Sequence, residues 1–335
     1  MGGQNERWDS FVTSTPGSTF SHLAGWKEIM TDVLRHECHY LAAVDAAGTW
    51  CGVLPLVHVR SLLGNYLISM PFLNDGGPLG DTAAQQRLVE HAVAEGETKG
   101  VSLLELRARF DVHGPVTPSN RKISVHLALP STVEELWTSI LRTKQRTKIR
   151  RAAKEGMVFR HGSGELDGFY DVFARNMRDL GTPVLPRAFF ERLALIFGSR
   201  VMFAAVYTND GAPVACACCL RWRNELEVTW GSSLREFNHL SPNMLLYSRL
   251  MEEAIREGVE VFNFGRCTPG GGTHAFKQQW GGRDVPLPWP SWYRQGGSGV
   301  PTTNRPAFRL ATRVWANLPV SIANRLGPIL ARLLP

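Results

Sequence analysis

The sequence predicts an α/β protein built from two mixed-sheet domains. Three observations carry that expectation. Segments with alternating apolar spacing interchange with segments of helical spacing along nearly the whole chain. One order of elements, namely three antiparallel strands, a helix, a parallel strand and a further strand, occurs twice, which points to internal duplication. At 335 residues, with 44% apolar and 20% charged side chains, the chain is also long enough for two ordinary cores.

In order, Phe20–Arg35 has helical spacing through Leu23, Trp26, Ile29, Met30 and Val33. Extended stretches follow at 40–44, 50–59 and 66–70, the first two joined by a turn at Asp45–Gly48. After the loop 71–78, a helix is expected over 82–99, stopped by Gly100, then strands at 101–107 and 123–129. Ser131-Thr-Val-Glu134 has the spacing of a capping box and opens a helix through the basic run to Gly156. A strand at 158–161 and helices at 166–180 and 187–197 lead into the repeat: strands at 201–207, 212–220 and 225–231, a helix at 243–257, a strand at 259–264 and a last strand near Pro286–Trp289. These boundaries give domains 1–130 and 131–295. Arg294–Arg305 reads as a flexible linker, and residues 300–335 as amphipathic helices, with Phe308, Ala311, Trp315 and Leu318 on one face and Leu326, Ile329, Leu330 and Leu333 repeating it. Such helices either cover a core, here that of the first domain, or lie on a membrane.

Composition excludes several classes. No apolar run approaches the roughly 18 residues of a membrane span, and the opening MGGQNERWDS lacks the layout of a signal peptide, so a cytoplasmic protein is expected. Of the six cysteines three, Cys216, Cys218 and Cys219, crowd into one predicted strand, which suggests neither a disulfide framework nor a zinc site, and all six read as reduced thiols. His36-Glu-Cys-His39 reads as surface or packing residues, and no metal is expected. The net charge of +7 is concentrated: 142–160 holds eight Lys/Arg against Glu155, and six arginines with no acid follow Asp284. Everything else is net acidic. Two basic segments on an acidic body point to a polyanionic partner, and Arg142, Lys144, Arg146, Lys148, Arg150 and Arg151 are the phosphate-contact candidates, with a solvated basic helix as the alternative.

The chemistry-bearing stretch is Val259–Gly282, an apolar strand, a turn through Gly270-Gly271-Gly272 and a helix carrying Phe276, Lys277 and Trp280. A helix start entered through glycines offers free N–H groups, and Lys277 adds a charge to them. Arg266 follows the strand and suits a substrate carboxylate, a phosphate or a structural ion pair; His274 either bonds substrate or caps the helix.

Several of these stretches resemble the Fem family of aminoacyl-tRNA-dependent peptidyl transferases, which have the GNAT acyltransferase fold. They are Trp50–Leu56, the loop with Gly76-Gly77-Pro78, Arg142–Gly156, Asn176-Met-Arg-Asp-Leu-Gly-Thr-Pro183, Leu240–Leu246 and Val259–Gly282. The last, with the Asn176–Pro183 stretch, is similar to the Fem-like branch associated with exosortase (PEP-CTERM) and exopolysaccharide systems. The resemblance implies two tandem GNAT-like domains, no cofactor, aminoacyl-tRNA as co-substrate and an acceptor bearing a free amine. It places Phe276 and Lys277 in the active site, with Lys277 stabilising the oxyanion. Trp230, Ser241 and Asn243 would face the donor, and Arg178 joins the substrate-binding candidates. Asn263 stands where related sequences often place an aspartate, and an asparagine cannot accept a proton as general base.

Two alternatives stay open. One is a GNAT-type N-acyltransferase using acyl-CoA or a carrier-bound acyl donor, of which acyl-CoA is disfavoured because Arg235–Asn243 lacks the glycines of a pyrophosphate loop. A silent polyanion- or membrane-binding module, using the basic helix and residues 306–335 on an anionic membrane face, is disfavoured by the intact Phe276-Lys277 pair.

Overall fold

The computed structural model describes residues 2–61, 64–119, 121–294 and 306–334. The chain divides into two compact units, one of Met1–Ile123, Pro286–Leu310 and Ile329–Pro335, the other of Ser124–Val285 and Ala311–Pro328. The linker expected over Arg294–Arg305 lies, Arg294 apart, outside the described residues.

The first unit opens with a helix the spacing did not announce, α1 (Gly2–Ser14), seated by Trp8 and Val12, with Trp8 Nε1 donating to His22 O at 2.6 Å. The helix expected over 20–35 is broken. A 3₁₀ turn at Phe20–His22 ends where Leu23 turns extended, and α2 (Gly25–Glu28) runs on into a π turn at Ile29–Val33. Strands β1 (Glu37–Val44), β2 (Trp50–Ser61), β3 (Gly64–Ile68) and the short β4 (Leu79–Gly80) precede α3 (Thr82–Thr98), capped by Asp81 Oδ1, which accepts from Ala84 N at 2.8 Å. Strand β5 (Leu103–Glu105) then lies parallel to β3, Tyr66 opposite Leu103, because α3 carries the chain back across the sheet. Leu88, Val89 and Ala92 of α3 pack on Leu54, Leu56, Leu67 and Leu104 to form that core.

The second unit repeats the scheme. After β6 (Lys122–Ala128) come α4 (Val133–Glu135) and a π turn at Leu136–Ile140. The cap is Thr132, whose Oγ1 accepts from Glu135 N at 3.1 Å, one residue beyond the expected Ser131. The basic run is not a continuation of this helix. Leu141 is extended (φ −73°, ψ 120°) with its side chain buried, and Gln145 Oε1 accepts from Arg142 N at 2.6 Å, starting a separate helix α5 (Thr143–Lys154). Strand β7 (Val158–His161), helices α6 (Leu166–Asp179) and α7 (Arg187–Phe197), and strands β8 (Val201–Tyr207), β9 (Pro213–Trp222) and β10 (Glu225–Ser233) follow. Helix α8 (Pro242–Arg256) crosses to β11 (Val261–Cys267), parallel to β10, and α9 (Gly272–Gln278) comes next.

The last strand expected near Pro286–Trp289 is two. Strand β12 (Arg283–Leu287) joins the second sheet, whose order is β12-β6-β11-β10-β9-β8-β7, and β13 (Ser291–Tyr293) joins the first, β1-β2-β3-β5-β13 with β4 on β2. Pro288 and Pro290 lack the N–H groups that would continue one ladder. The C-terminal helices α10 (Pro306–Ala316) and α11 (Val320–Ala331) do not all return to the first unit, as residues 311–328 group with the second. Gly181 explains the fit: a Cβ there would lie 2.2 Å from Thr312 Cγ2.

Candidate functional site: a buried lysine where two strands part

Parallel pairing of β10 with β11 covers only Glu225–Glu227 against Val261–Asn263. A register shift between Val228 and Trp230 turns β10 away, so β10 runs on to Ser233 and β11 to Cys267 without further pairing between them. At this parting β11 presents Gly265 with φ of 73°, a conformation glycine takes without strain. The Gly265 and Arg266 carbonyls accept from Lys277 Nζ at 2.7 and 2.9 Å.

Lys277 is therefore not on a solvated helix face. Its side chain is 4% exposed, and burial pushes the ammonium down to about 8, partly opposed by Cys267 and Glu227. An ammonium has three N–H donors. Two are committed to the carbonyls, and the charged form alone keeps a third. Phe276, half-buried, sets its ring edge-on to Tyr247 at 5.1 Å and to Trp280 at 6.2 Å, which fixes α9 on the aromatic group of Tyr247, Phe262 and Phe264.

The other candidates sort clearly. Arg266 is half-buried beside the carbonyls that hold Lys277. His274 is a structural brace, since Nδ1 accepts from Gly270 N at 3.0 Å while Nε2 lies 3.0 Å from Asp284 Oδ1. Asn263 is 1% exposed and saturated: Nδ2 donates to Glu225 Oε1 at 2.8 Å and Glu227 Oε2 at 3.1 Å, and Oδ1 accepts from Ser124 Oγ at 2.6 Å and Gly265 N at 2.8 Å. It has no bond left for a substrate, so the expected contact at Asn263 fails. An aspartate here would set a third carboxylate against two and lose both donors, a physical reason for the asparagine.

Trp230 is a core residue, edge-on to Phe189 at 5.7 Å and Phe190 at 5.3 Å. Arg178 faces the C-terminal helices instead of a substrate, its Nη1 donating to Leu318 O at 2.9 Å and its Nε lying 2.7 Å from Asp179 Oδ1. Ser241, in the left-handed region at φ 62°, begins α8, and Asn243 Nδ2 donates to Ser233 Oγ at 2.8 Å while its buried Oδ1 has no hydrogen-bond partner among the described residues.

The sequence missed Gln145, whose Nε2 donates to Gln279 O at 2.9 Å and so ties the start of the basic helix to the end of α9. Of that helix, Arg142, Lys144, Arg150 and Arg151 are exposed. Lys148 is half-buried; Arg146 is held by Trp137 O at 2.8 Å and Thr143 Oγ1 at 3.2 Å. The glutamine three residues after Arg142 was the available signal.

Residues 140–278 match the acetyltransferase (GNAT) domain family. Among solved structures, FemX shares the fold with a TM-score of 0.64 at 16% identity, over 92% of this chain and 98% of that one. The C-terminal domain of a putative lysylphosphatidylglycerol synthetase from Agrobacterium fabrum gives 0.58 at 14% identity over 87% and 92%. A tandem GNAT protein of the clavulanic acid biosynthesis pathway gives 0.50 at 11% identity over 87% and 92%. A search of curated proteins returned no match. The chain thus has the Fem-like tandem GNAT fold, with residues 140–278 forming a GNAT acyltransferase-type domain.

Proposed function

We propose that this protein transfers an aminoacyl group from aminoacyl-tRNA to an amine acceptor, of cell-envelope, exopolysaccharide-linked or small-peptide origin, at the Lys277 site. The observation that carries the reading is the buried Lys277 ammonium, held by two carbonyls where β10 and β11 part, with the basic helix tied beside it through Gln145. The amine attacks the ester carbonyl, the new C–N bond forms, and the carbonyl oxygen becomes an oxyanion that takes the third N–H of Lys277. Collapse breaks the C–O bond and releases the tRNA hydroxyl. The proton lost by the amine is the one gained by the leaving oxygen, so the net step needs no protein base, consistent with a saturated Asn263. Arg142, Lys144, Arg150 and Arg151 supply phosphate contacts for the tRNA.

The acyl-CoA reading is weakened by the turn ahead of α8. A pyrophosphate wants free backbone N–H groups. Here Arg235–Leu240 is a 3₁₀ turn, Ser241 N is spent on Asn238 O at 3.1 Å, and Pro242 has no N–H to offer. Incubating the protein with charged tRNA and, separately, with acyl-CoA tests this: only the aminoacyl ester should be deacylated when acceptor is present. Deacylation of acyl-CoA alone would replace this reading with the second. Binding of charged tRNA should also weaken steeply with salt, and a flat titration would remove the basic helix from it.

Membrane attachment is favoured by one feature. Leu310, Val314, Ile322, Leu326, Ile329 and Leu330 stay exposed on α10 and α11, with Arg309, Arg313 and Arg325 also on these helices. No helix among the described residues is long and apolar enough to cross a membrane. Co-sedimentation with anionic vesicles should be strong for the native chain and lost for L310E/L326E.

A further inference from the structure

The antiparallel register of β1 with β2 sets Glu37 directly opposite His58. His39 stands two residues from Glu37 and therefore on the same face of the sheet. That face carries α3, and Glu95 of α3 and Lys99 just after it reach the same spot. One ligand atom from each of Glu37, His39 and His58 lies within 4.8 Å of the others.

Which ring nitrogens hold protons follows from the neighbours. Asn65 Nδ2 donates to Lys99 O at 3.0 Å and Gly100 O at 3.1 Å, so its Oδ1 is the atom facing His58 Nε2 at 2.6 Å; this contact is much shorter than the 3.4 Å from Arg60 Nε to the same nitrogen and assigns the proton to Nε2. His39 Nδ1 lies 2.8 Å from Glu95 Oε1, which places its proton there. In the neutral rings the lone pairs are then His58 Nδ1 and His39 Nε2. Both face the same carboxylate, at 3.5 Å from Glu37 Oε2 and 3.1 Å from Glu37 Oε1. Among the described residues, the buried His39 Nε2 makes no hydrogen bond. Two lone pairs aimed at one carboxylate repel unless a cation lies among them. Lys99 Nζ, 3.1 Å from Glu37 Oε1, and the exposed Arg60 arm, whose Nη2 is 3.2 Å from Glu37 Oε2 and 3.3 Å from His58 Nδ1, offset part of that repulsion.

We propose that Glu37, His39 and His58 form a binding site for a first-row divalent cation of the zinc type. Ligand atoms about 2.0–2.1 Å from zinc at tetrahedral angles are separated by about 3.3 Å; His39 Nε2 and His58 Nδ1 lie 3.1 and 3.5 Å from the two different oxygens of Glu37, and one ligand atom from each residue lies within 4.8 Å of the others. The outer contacts are those such a centre requires, because each imidazole is oriented through its other nitrogen, by Glu95 and by Asn65. Two imidazoles and a carboxylate select zinc, cobalt or nickel over magnesium or calcium. Glu37 is half exposed, giving the ion an entry path and an open position for water. Arg60 swings aside when it binds.

The test uses the full chain stripped with chelator and titrated with Zn²⁺ by calorimetry and with Co²⁺ by visible absorption. One equivalent should saturate, the cobalt form should show ligand-field bands, and zinc should raise Tm. His39→Asn and Glu37→Gln should each weaken binding by more than about 100-fold, and Glu95→Gln by about 10- to 100-fold. R60A should bind at least as tightly as the native chain. Glu37 is partly exposed, so Glu37→Gln decides the matter if His39→Asn fails to fold. No saturable binding by the native chain, or equal affinity in Glu37→Gln, overturns the proposal.

Discussion

The two units share a frame and differ at the same point of it. In each, a strand runs into a crossover helix and a parallel partner: β3, α3 and β5 in the first, β10, α8 and β11 in the second. After β5 the space is sealed. The Arg107 guanidinium lies 4.7 Å from the Trp289 ring, donates to Met70 O at 3.3 Å and Leu73 O at 3.0 Å, and pairs with Glu105 at 3.1 Å, while β13 extends the sheet along β5. After β11 a glycine turn and α9 bring in Lys277, whose two carbonyl contacts leave one donor. A buried cation bonds backbone carbonyls in both places. The two places differ in the segment after the parallel strand: in the first it carries a guanidinium paired with Glu105, and in the second it carries the Lys277 ammonium on which the proposed reaction rests.

Several substitutions sharpen that contrast, from the largest effect to the smallest. Lys277→Met should cut turnover by about 10²- to 10³-fold, the usual cost of one oxyanion donor. It also leaves two carbonyls without their donor, at about 1–3 kcal/mol, so a thermal melt must accompany the kinetics, and near-native turnover would end the role. Asn263→Asp should destabilise the second unit by about 1–3 kcal/mol at neutral pH. The carboxyl beside Glu225 and Glu227 is held protonated more easily than an exposed one, so that loss should shrink as pH falls. A melt series that moves the other way would contradict the saturated asparagine. Arg178→Met should lower stability by about 1 kcal/mol and speed proteolysis near Leu318, leaving turnover within about twofold.

The pH dependence has a fixed sign. Lys277 is lowered from its ordinary value to about 8 in the folded chain, so between about 8 and the unfolded value the unfolded state binds more protons. Its contribution to stability is full above the unfolded value and is lost as pH falls through about 8. Activity runs opposite, since neutral Lys277 has two N–H groups, both held by carbonyls. Turnover should fall above about pH 8 while the stability of the native chain relative to K277M rises. A flat alkaline limb would contradict the ammonium role.

Much of the frame could be read from the sequence because strands and crossover helices carry their apolar period openly, as Leu88, Val89 and Ala92 do on α3. What stayed hidden was set by single backbone events. The extended Leu141 splits one expected helix into two, and α1 is seated by Trp8 and Val12 after an opening of two glycines that hides its period. At the site, the Phe276-Lys277 pair was legible, and the burial of Lys277 was not, since it depends on carbonyls that Gly265 turns inward. Arg178, Trp230 and Asn263 looked equally available in sequence, and only their partners, Leu318 O, Phe190 and the Glu225–Glu227 pair, reveal them as packing and bracing residues. His58 converges with His39 through strand register, which residue spacing alone does not display.

The most direct measurement compares turnover of Lys277→Met and Arg107→Met with the donor that the native chain deacylates. Both remove a buried cation that bonds two carbonyls, so both should lower Tm by comparable amounts. The account predicts a loss of about 10²- to 10³-fold for Lys277→Met and less than about twofold for Arg107→Met. Equal losses in the two variants, or a larger one in Arg107→Met, would contradict a reaction centred on the second unit.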